Sequence, residues 1–170
     1  PIRIAGDPKA PRTVSIKHAQ YVAATRVDVL VADPGPAAHH AALLASWRAQ
    51  AGVRESRLLV ADASVFGPSP LLSALNDSRV LYLHTAGVTD AGARRNILLA
   101  KVDADVVVHF DKDAYYSPSY VGATLDFMKE SGAHVAKLSA WYVYRRGPRT
   151  LQYVDTSEHY HSELAHCGVG

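Results

Sequence analysis

The feature that most constrains the fold of this chain is an alternation of short apolar runs with segments of helical periodicity. Four β-branched or leucine-rich runs are predicted as strands, at residues 27–32, 58–61, 80–83 and 106–110. Helices are predicted between and after them, at residues 37–51, 71–75, 89–102 and 117–131. Strands that alternate with helices usually form a mostly parallel sheet with helices packed on it. The sequence therefore predicts an α/β fold.

The remaining parts of the chain follow a different pattern. Three further strands are predicted at residues 134–138, 141–144 and 151–154, with a turn at residues 145–148. They suggest an antiparallel addition on the carboxyl-terminal side. Residues 1–26 mix Pro, Lys and Arg with a weak helical pattern, and we treat them as a leader of uncertain structure. Residues 27–170 are predicted to form one domain, since 48% hydrophobic residues can build one core.

Composition excludes several classes of function. Eighteen Lys and Arg residues oppose sixteen Asp and Glu residues, so a net charge of +2 gives no broad basic field for nucleic acid. The single cysteine, Cys167, excludes an internal disulfide and favours a reducing, cytoplasmic setting. No apolar run approaches the roughly 20 residues that span a bilayer, so we predict no transmembrane segment. Binding must therefore come from a local site.

Acidic residues follow three of the predicted strands, at the edge where parallel sheets bind their ligands: Asp33, Asp62 and Asp111. Asp113 lies two residues beyond Asp111, so in extended backbone the two side chains would point the same way. Two converging carboxylates repel each other unless a cation lies between them. A hard ion such as Mg²⁺ or Mn²⁺ takes about six oxygen ligands, which substrate phosphates and water would complete. A solvated turn is the alternative interpretation.

Longer segments around these residues carry a resemblance to a known family. They are Gly-Ala-Arg-Arg-Asn at 92–96, Phe-Asp-Lys-Asp at 110–113, and Lys-Leu-Ser-Ala-Trp at 137–141. Together with the tyrosines and proline of residues 115–120, they resemble the inverting GT-A glycosyltransferases of family two over about residues 27–154. The resemblance implies a Rossmann-like GT-A fold. It also implies sugar transfer from a nucleoside-diphosphate donor to an acceptor hydroxyl.

The resemblance also implies roles for residues in the first two loops. In such enzymes the first strand and its loop hold the nucleoside, which points to Ala32, Asp33 and Pro34. The family's usual Pro and aromatic-Asn pattern is absent at these positions. Asp62 ends the second strand and is implied to contact the base or ribose. A turn or helix-capping role is its alternative.

We expect different roles for three basic residues in or before the Asp-x-Asp segment. Arg95 matches the family's Arg before Asn and is implied to contact the nucleotide, since a guanidinium suits phosphate oxygens. For Arg94 we expect a surface charge on the helix. Lys112 stands where the family often has a small or acidic residue, and it either faces solvent or binds phosphate as a point charge.

Two further groups of residues are weaker candidates. One histidine of a late cluster could complete the metal site, although an ordinary polar loop explains the cluster better: His159, His161 and His166. Three aromatic residues could stack on sugar faces or equally pack in the core: Tyr115, Tyr116 and Trp141.

The expected reaction uses a nucleoside-diphosphate sugar, by default a UDP-sugar, and a carbohydrate or other hydroxyl acceptor. Mn²⁺ or Mg²⁺ at Asp111 and Asp113 would neutralise the leaving pyrophosphate. Inversion also needs a general base, usually a carboxylate. The late acidic residues match no such segment, and the base stays unassigned: Asp155, Glu158 and Glu163.

Two other functions compete with sugar transfer. We expect the chain to be an incomplete catalytic domain that binds nucleotide without transfer, and a non-catalytic nucleotide-sugar-binding domain is the closest alternative. A nucleotidyltransferase is the second alternative, but it normally has a glycine-rich phosphate loop after its first strand. Residues 33–36, Asp-Pro-Gly-Pro, are too poor in glycine for that.

Overall fold

The computed structural model describes residues 25–156. The chain divides after Asp126 into a unit that carries a parallel sheet and a unit that carries a hairpin. Residues 1–24 of the predicted leader lie outside the described residues, and so do five candidate residues: Glu158, Glu163, His159, His161 and His166.

The first unit is built on four parallel strands. They are β1 (Arg26–Val31), β2 (Glu55–Asp62), β3 (Val80–His84) and β4 (Val106–His109). Their order across the sheet is β3-β2-β1-β4. On β1, Val29 lies opposite Leu58 of β2 on one side and Val108 of β4 on the other. Because all four strands run in the same direction, the loops after β1, β2 and β4 share one edge of the sheet, as predicted.

Four helices connect or follow these strands. They are α1 (Ala37–Arg48), α2 (Pro70–Ser73), α3 (Ala91–Leu99) and α4 (Tyr120–Ser131). The Asp90 carboxylate caps α3 by accepting a hydrogen bond from Ala93 N at 2.6 Å. The α3 helix ends earlier than predicted because Lys101 N donates to Leu98 O, a bond that tightens the last turn. The predicted helices are thus confirmed with shorter bounds.

Apolar side chains cover both faces of the parallel sheet. On one face, alternate residues of β1 and β2 pack against α1, α2 and α4, with Trp47 and Leu125 among the buried side chains. On the other face, Leu30 and Leu59 pack against Leu98 of α3. Helices therefore flank the sheet on both sides, which confirms the predicted α/β class. Within residues 25–156, no helix has the length and apolar character needed to cross a membrane.

The second unit contains an antiparallel hairpin of β5 (Ala140–Arg145) and β6 (Thr150–Asp155). These strands and the turn between them confirm the predicted antiparallel addition. The prediction of a further strand at residues 134–138 is wrong, since these residues are irregular. A strand requires a hydrogen-bonded neighbour, and the pairing of this hairpin begins only at Ser139, whose carbonyl accepts from Thr156 N at 2.8 Å. Val135 is accordingly 82% exposed.

A buried ion pair joins β1 and β2 near their amino ends. The Asp28 side chain is inaccessible to solvent, and its Oδ1 accepts a hydrogen bond from Arg57 Nε at 2.8 Å. Asp103 N donates to Oδ2 at 2.9 Å. Burial by itself would raise the pKa of the Asp28 carboxyl. The bonds from Arg57 and Asp103 N and the positive charge of Arg57 outweigh burial, so this pKa lies below its ordinary value.

We expect Asp28→Asn to lower the free energy of unfolding at pH 7 by about 2 kcal/mol. A carboxyl with a lowered pKa stabilises the folded state only while it is ionised. The difference in free energy of unfolding between the variant and the unaltered protein should therefore shrink as the pH falls. The decrease begins below about pH 4 and continues through the folded-state pKa of Asp28. Urea unfolding at several pH values measures both effects, with Asp103→Asn as an exposed control. Equal stability at pH 7 would contradict a stabilising pair.

Candidate functional site

The Asp-x-Asp segment forms a tight turn directly after β4. Ala114 N donates to Asp111 O at 3.2 Å, which closes a four-residue turn. The predicted common direction of the two carboxylates assumed an extended backbone. The backbone forms a turn at these residues instead. Asp111 and Asp113 are both exposed. Their oxygens are therefore accessible at the edge of the sheet where ligands bind in α/β proteins.

An aromatic cluster anchors this turn in the core. Phe110 is buried and stacks on Tyr116, with the ring centroids 3.8 Å apart, and Tyr120 packs on Tyr116. The Tyr116 hydroxyl oxygen accepts a hydrogen bond from Asp111 N at 2.9 Å. Burial, aided by the Asp111 charge, raises the pKa of Tyr116 to about 12, so the phenol is neutral at pH 7. Tyr116 thus supports the turn, whereas Tyr115 is 82% exposed.

The loop after β1 is joined to the Asp-x-Asp turn by an ion pair. Asp33 Oδ2 accepts from Lys112 Nζ at 2.9 Å, and Asp33 Oδ1 accepts from Gly35 N at 2.9 Å. Burial alone would raise the pKa of Asp33, but these bonds and the Lys112 charge outweigh it and keep that pKa below its ordinary value. The bond to Asp33 in turn raises the pKa of Lys112. Lys112 therefore holds a carboxylate of the neighbouring loop.

Close packing at Gly35 makes this ion pair possible. Gly35 has a φ of +69°, a backbone conformation that favours glycine. A Cβ atom at this position would lie 2.8 Å from Cδ of Lys112. The aliphatic stem of Lys112 therefore lies against bare backbone. A larger residue at position 35 would displace Lys112 from Asp33.

The expectation of a surface charge at Arg94 is wrong. Arg94 is 7% exposed, and its guanidinium donates to the carbonyl oxygens of Ala32, Val88 and Thr89, the last two at 2.8 and 2.7 Å. These acceptors replace the water that a buried cation loses. One sequence feature indicated this burial. Arg94 lies four residues before Leu98 and so shares a helix face with it, and Leu98 is fully buried.

In the loop after β1, the predicted nucleoside contacts Ala32 and Pro34 both interact with the protein interior. The Ala32 carbonyl accepts the hydrogen bond from Arg94 Nε. Pro34 is fully buried, so its ring packs in the interior. Among the predicted nucleoside contacts in the loop, Asp33 is the one with an exposed side chain.

A group that the sequence reasoning missed lies at the end of β4. Burial and the positive charge of Arg95 lower the pKa of His109, while Asp111 acts in the opposite direction. Arg95 and Asp111 therefore each lie close enough to His109 for their charges to act on it. Arg95 is exposed, in contrast to Arg94. The sequence indicated that His109 lies beside the site only through its position directly before Phe110 and the turn.

Asp62 has a structural role in the loop after β2. It is 3% exposed, its Oδ1 accepts from Ser64 N at 2.8 Å, and its Oδ2 accepts from the Tyr82 hydroxyl at 2.6 Å. Burial and the bond to Asp62 raise the pKa of Tyr82 to about 12. The turn role that was the alternative for Asp62 is therefore present. A contact with base or ribose would require a change in these bonds.

The site provides oxygen ligands for a metal ion but not a full set. Within residues 25–156, no group of three or more His, Cys, Asp or Glu side chains could hold a metal ion. Two exposed carboxylates suit a hard divalent ion that takes its remaining ligands from phosphate and water. Asp111 and Asp113 thus present exposed carboxylates, the type of ligand that such an ion takes. Trp141 and Asp155 belong to the hairpin unit.

Comparison with known proteins assigns the chain to a family. Residues 42–165, more than half of the 170 residues, match the sequence profile of Glycosyl transferase family 2. No curated protein and no solved structure matches the chain. The parallel sheet flanked by helices and the separate antiparallel hairpin agree with the GT-A fold of that family. The chain therefore belongs to glycosyl transferase family 2.

Proposed function

We propose that this protein is an inverting, metal-dependent glycosyltransferase. Its donor is a nucleoside-diphosphate sugar, with a UDP-sugar as the first candidate, and its acceptor is a hydroxyl group of a carbohydrate or another molecule. Family membership supports glycosyl transfer in general. The observation that carries the finer proposal is the exposed Asp111–Asp113 turn beside the Asp33 loop, at the carboxyl edge of a parallel sheet.

The diphosphate of the donor is proposed to bind at this turn. Asp111 and Asp113 would hold Mn²⁺ or Mg²⁺, with phosphate oxygens and water as the other ligands. When bound, such an ion neutralises negative charge that develops on the leaving diphosphate. Arg95 is exposed and its charge acts on His109, which lies two residues before Asp111, so its guanidinium is suited to a phosphate oxygen.

The nucleoside is proposed to bind along the loops after β1 and β2. Asp33 would contact the nucleoside with its exposed carboxylate. Ala32 and Pro34 would support the loop backbone, through the bond of the Ala32 carbonyl to Arg94 and the buried ring of Pro34. Lys112 adds a positive charge beside the diphosphate once Asp33 accepts a ligand group in its place. Asp62 would contact the base or ribose by exchanging the Tyr82 hydroxyl for the ligand.

The general base is left unassigned. Tyr82 and Tyr116 are unsuited to this role at neutral pH, because burial raises the pKa of each phenol to about 12. Among the late acidic candidates, Asp155 lies within the described residues, at the end of β6. A cytoplasmic setting, predicted from the single cysteine, belongs to the same proposal.

We expect UDP to bind at least about tenfold more tightly with Mn²⁺ or Mg²⁺ than with a chelator, which is about 1.4 kcal/mol. The ion joins the carboxylates of the turn to the diphosphate and removes their mutual repulsion. Calorimetric titration in both conditions measures the difference. Uridine, which lacks phosphate, is the control and should show no dependence on the ion. Equal UDP affinity with and without the ion would contradict the metal role.

A second candidate function is nucleotide-sugar binding without transfer. It is favoured by the unassigned general base, because transfer requires such a group and donor binding does not. The two functions differ in turnover. Acceptor-dependent release of UDP from a UDP-sugar supports transfer. Tight donor binding without acceptor-dependent release in any combination supports the second function.

A further inference from the structure

The loop after β2 carries two of the most exposed apolar side chains of the described residues. Val65 is 89% exposed and Phe66 is 98% exposed. Phe66 follows the carboxyl end of β2, at the edge of the sheet where the Asp33 loop also lies. We propose that the Phe66 ring stacks on the nucleobase of the donor nucleotide. This inference rests on the proposed function and adds a residue that recognises the base.

Hydrogen bonds hold the exposed tip of this loop in one shape. Ser64 N donates to Asp62 Oδ1 at 2.8 Å, and Phe66 N donates to the Ser64 hydroxyl oxygen at 3.3 Å. His84 Nε2 donates to Ser64 O at 3.0 Å. The backbone is therefore bonded at Ser64 and at Phe66 N, which holds the turn that carries Phe66. The backbone of this turn therefore needs little reorganisation when a flat ligand binds beside it.

A buried histidine ties this loop to the loop that carries Asp33. His40 is 2% exposed, and its Nε2 lies 3.0 Å from Gly35 O while its Nδ1 lies 2.7 Å from the Ser69 hydroxyl oxygen. Because a carbonyl only accepts, Nε2 carries the hydrogen and Nδ1 accepts from Ser69. Ser69 N donates to the Tyr82 hydroxyl oxygen at 2.7 Å. The loops after β1 and β2 thus keep a fixed separation at the ligand edge.

The geometry of the sheet matches the length of a nucleotide. Adjacent strands are about 4.8 Å apart, so β2 lies about 10 Å from β4 across β1. A nucleoside diphosphate with its phosphates at the Asp-x-Asp turn reaches β2 when its base extends across β1. The β1 loop, residues 32–36, contains no aromatic residue. Phe66 is therefore the aromatic side chain that the first two loops offer to a base.

Stacking has a characteristic effect on affinity and selectivity. Loss of one base–aromatic stack weakens binding by roughly five- to a hundredfold in nucleic-acid complexes. Every base has a flat π face, so stacking by itself discriminates little among bases. UDP and GDP should therefore depend on Phe66 to a similar extent.

The test compares ligands with and without a base, using the 170-residue chain and calorimetry in Mn²⁺. We expect Phe66→Ala to bind UDP about tenfold more weakly. Pyrophosphate, which has no base, should bind Phe66→Ala and the unaltered protein equally. Phe66→Tyr should restore UDP affinity, and Val65→Ala should leave it unchanged. Because Phe66 is 98% exposed, these variants should unfold at the same temperature as the unaltered protein.

A spectroscopic signal tests contact directly. The fluorescence of Phe66→Trp should be quenched by UDP more strongly than that of the unaltered protein, and pyrophosphate should cause no such difference. Unchanged UDP affinity in Phe66→Ala, or an equal loss of UDP and pyrophosphate affinity, would overturn the stacking proposal alone. So would unchanged UDP affinity with weakened binding to phosphatidylcholine–phosphatidylglycerol vesicles, which would assign Phe66 to a lipid surface. If the unaltered protein bound neither UDP nor pyrophosphate, the proposed function would fail as well.

Discussion

Asp113→Asn is expected to remove the metal-dependent part of UDP binding and to lower donor turnover by about 10²–10³-fold. The substitution removes one of two anionic ligands, and an amide oxygen is a much weaker ligand for a hard divalent ion. Asp113 is exposed in a surface turn, so the fold should be unaffected. Calorimetry with Mn²⁺ and with a chelator measures the binding, and release of UDP from the donor measures turnover.

The control for Asp113→Asn is Asp103→Asn. The Asp103 side chain is 78% exposed, and its residue contacts Asp28 near the amino ends of the strands. This variant should keep the full metal dependence, because it loses the same charge away from the Asp-x-Asp turn. A folded Asp113→Asn protein with unchanged metal-dependent affinity would remove Asp113 from the site.

Arg94→Ala is expected to lower the free energy of unfolding by about 3–4 kcal/mol. The substitution leaves the carbonyls of Ala32, Val88 and Thr89 without their donor. An unpaired buried polar group costs about 1–3 kcal/mol, and water that enters the space recovers part of that cost. Urea unfolding measures the loss. The free energy of unfolding of Arg94→Lys should lie between those of Arg94→Ala and the unaltered protein. One ammonium cannot reach all three carbonyls as the planar guanidinium does.

The neighbouring arginine provides a matched control. Arg95 is exposed on the same helix, so Arg95→Ala should change the free energy of unfolding by less than about 0.5 kcal/mol. It should instead weaken UDP binding, because it removes a positive charge near His109, at the end of β4 before the Asp-x-Asp turn. Equal stability losses in the two variants would contradict the distinct roles given to Arg94 and Arg95.

Sequence patterns alone predicted the elements of the parallel sheet and the edge of the sheet at which the three acidic residues lie. Local patterns carry this information: apolar β-branched runs identify strands, and helical spacing with a capping residue such as Asp90 identifies helices. The position of Asp111 after the apolar run of β4 was also a local property. Because parallel strands end at one edge, the sequence pattern was enough to predict that Asp33, Asp62 and Asp111 lie there.

The tertiary structure decided what each side chain at that edge contacts. Arg94 and Arg95 are adjacent in sequence and on the same helix, yet one is buried against the Ala32 carbonyl and the other is exposed. Lys112 binds Asp33, which is 79 residues away in the chain. Residues 134–138 have strand-like composition but no pairing partner among the described residues. These outcomes depend on groups distant in sequence, and local periodicity contains no information about such partners.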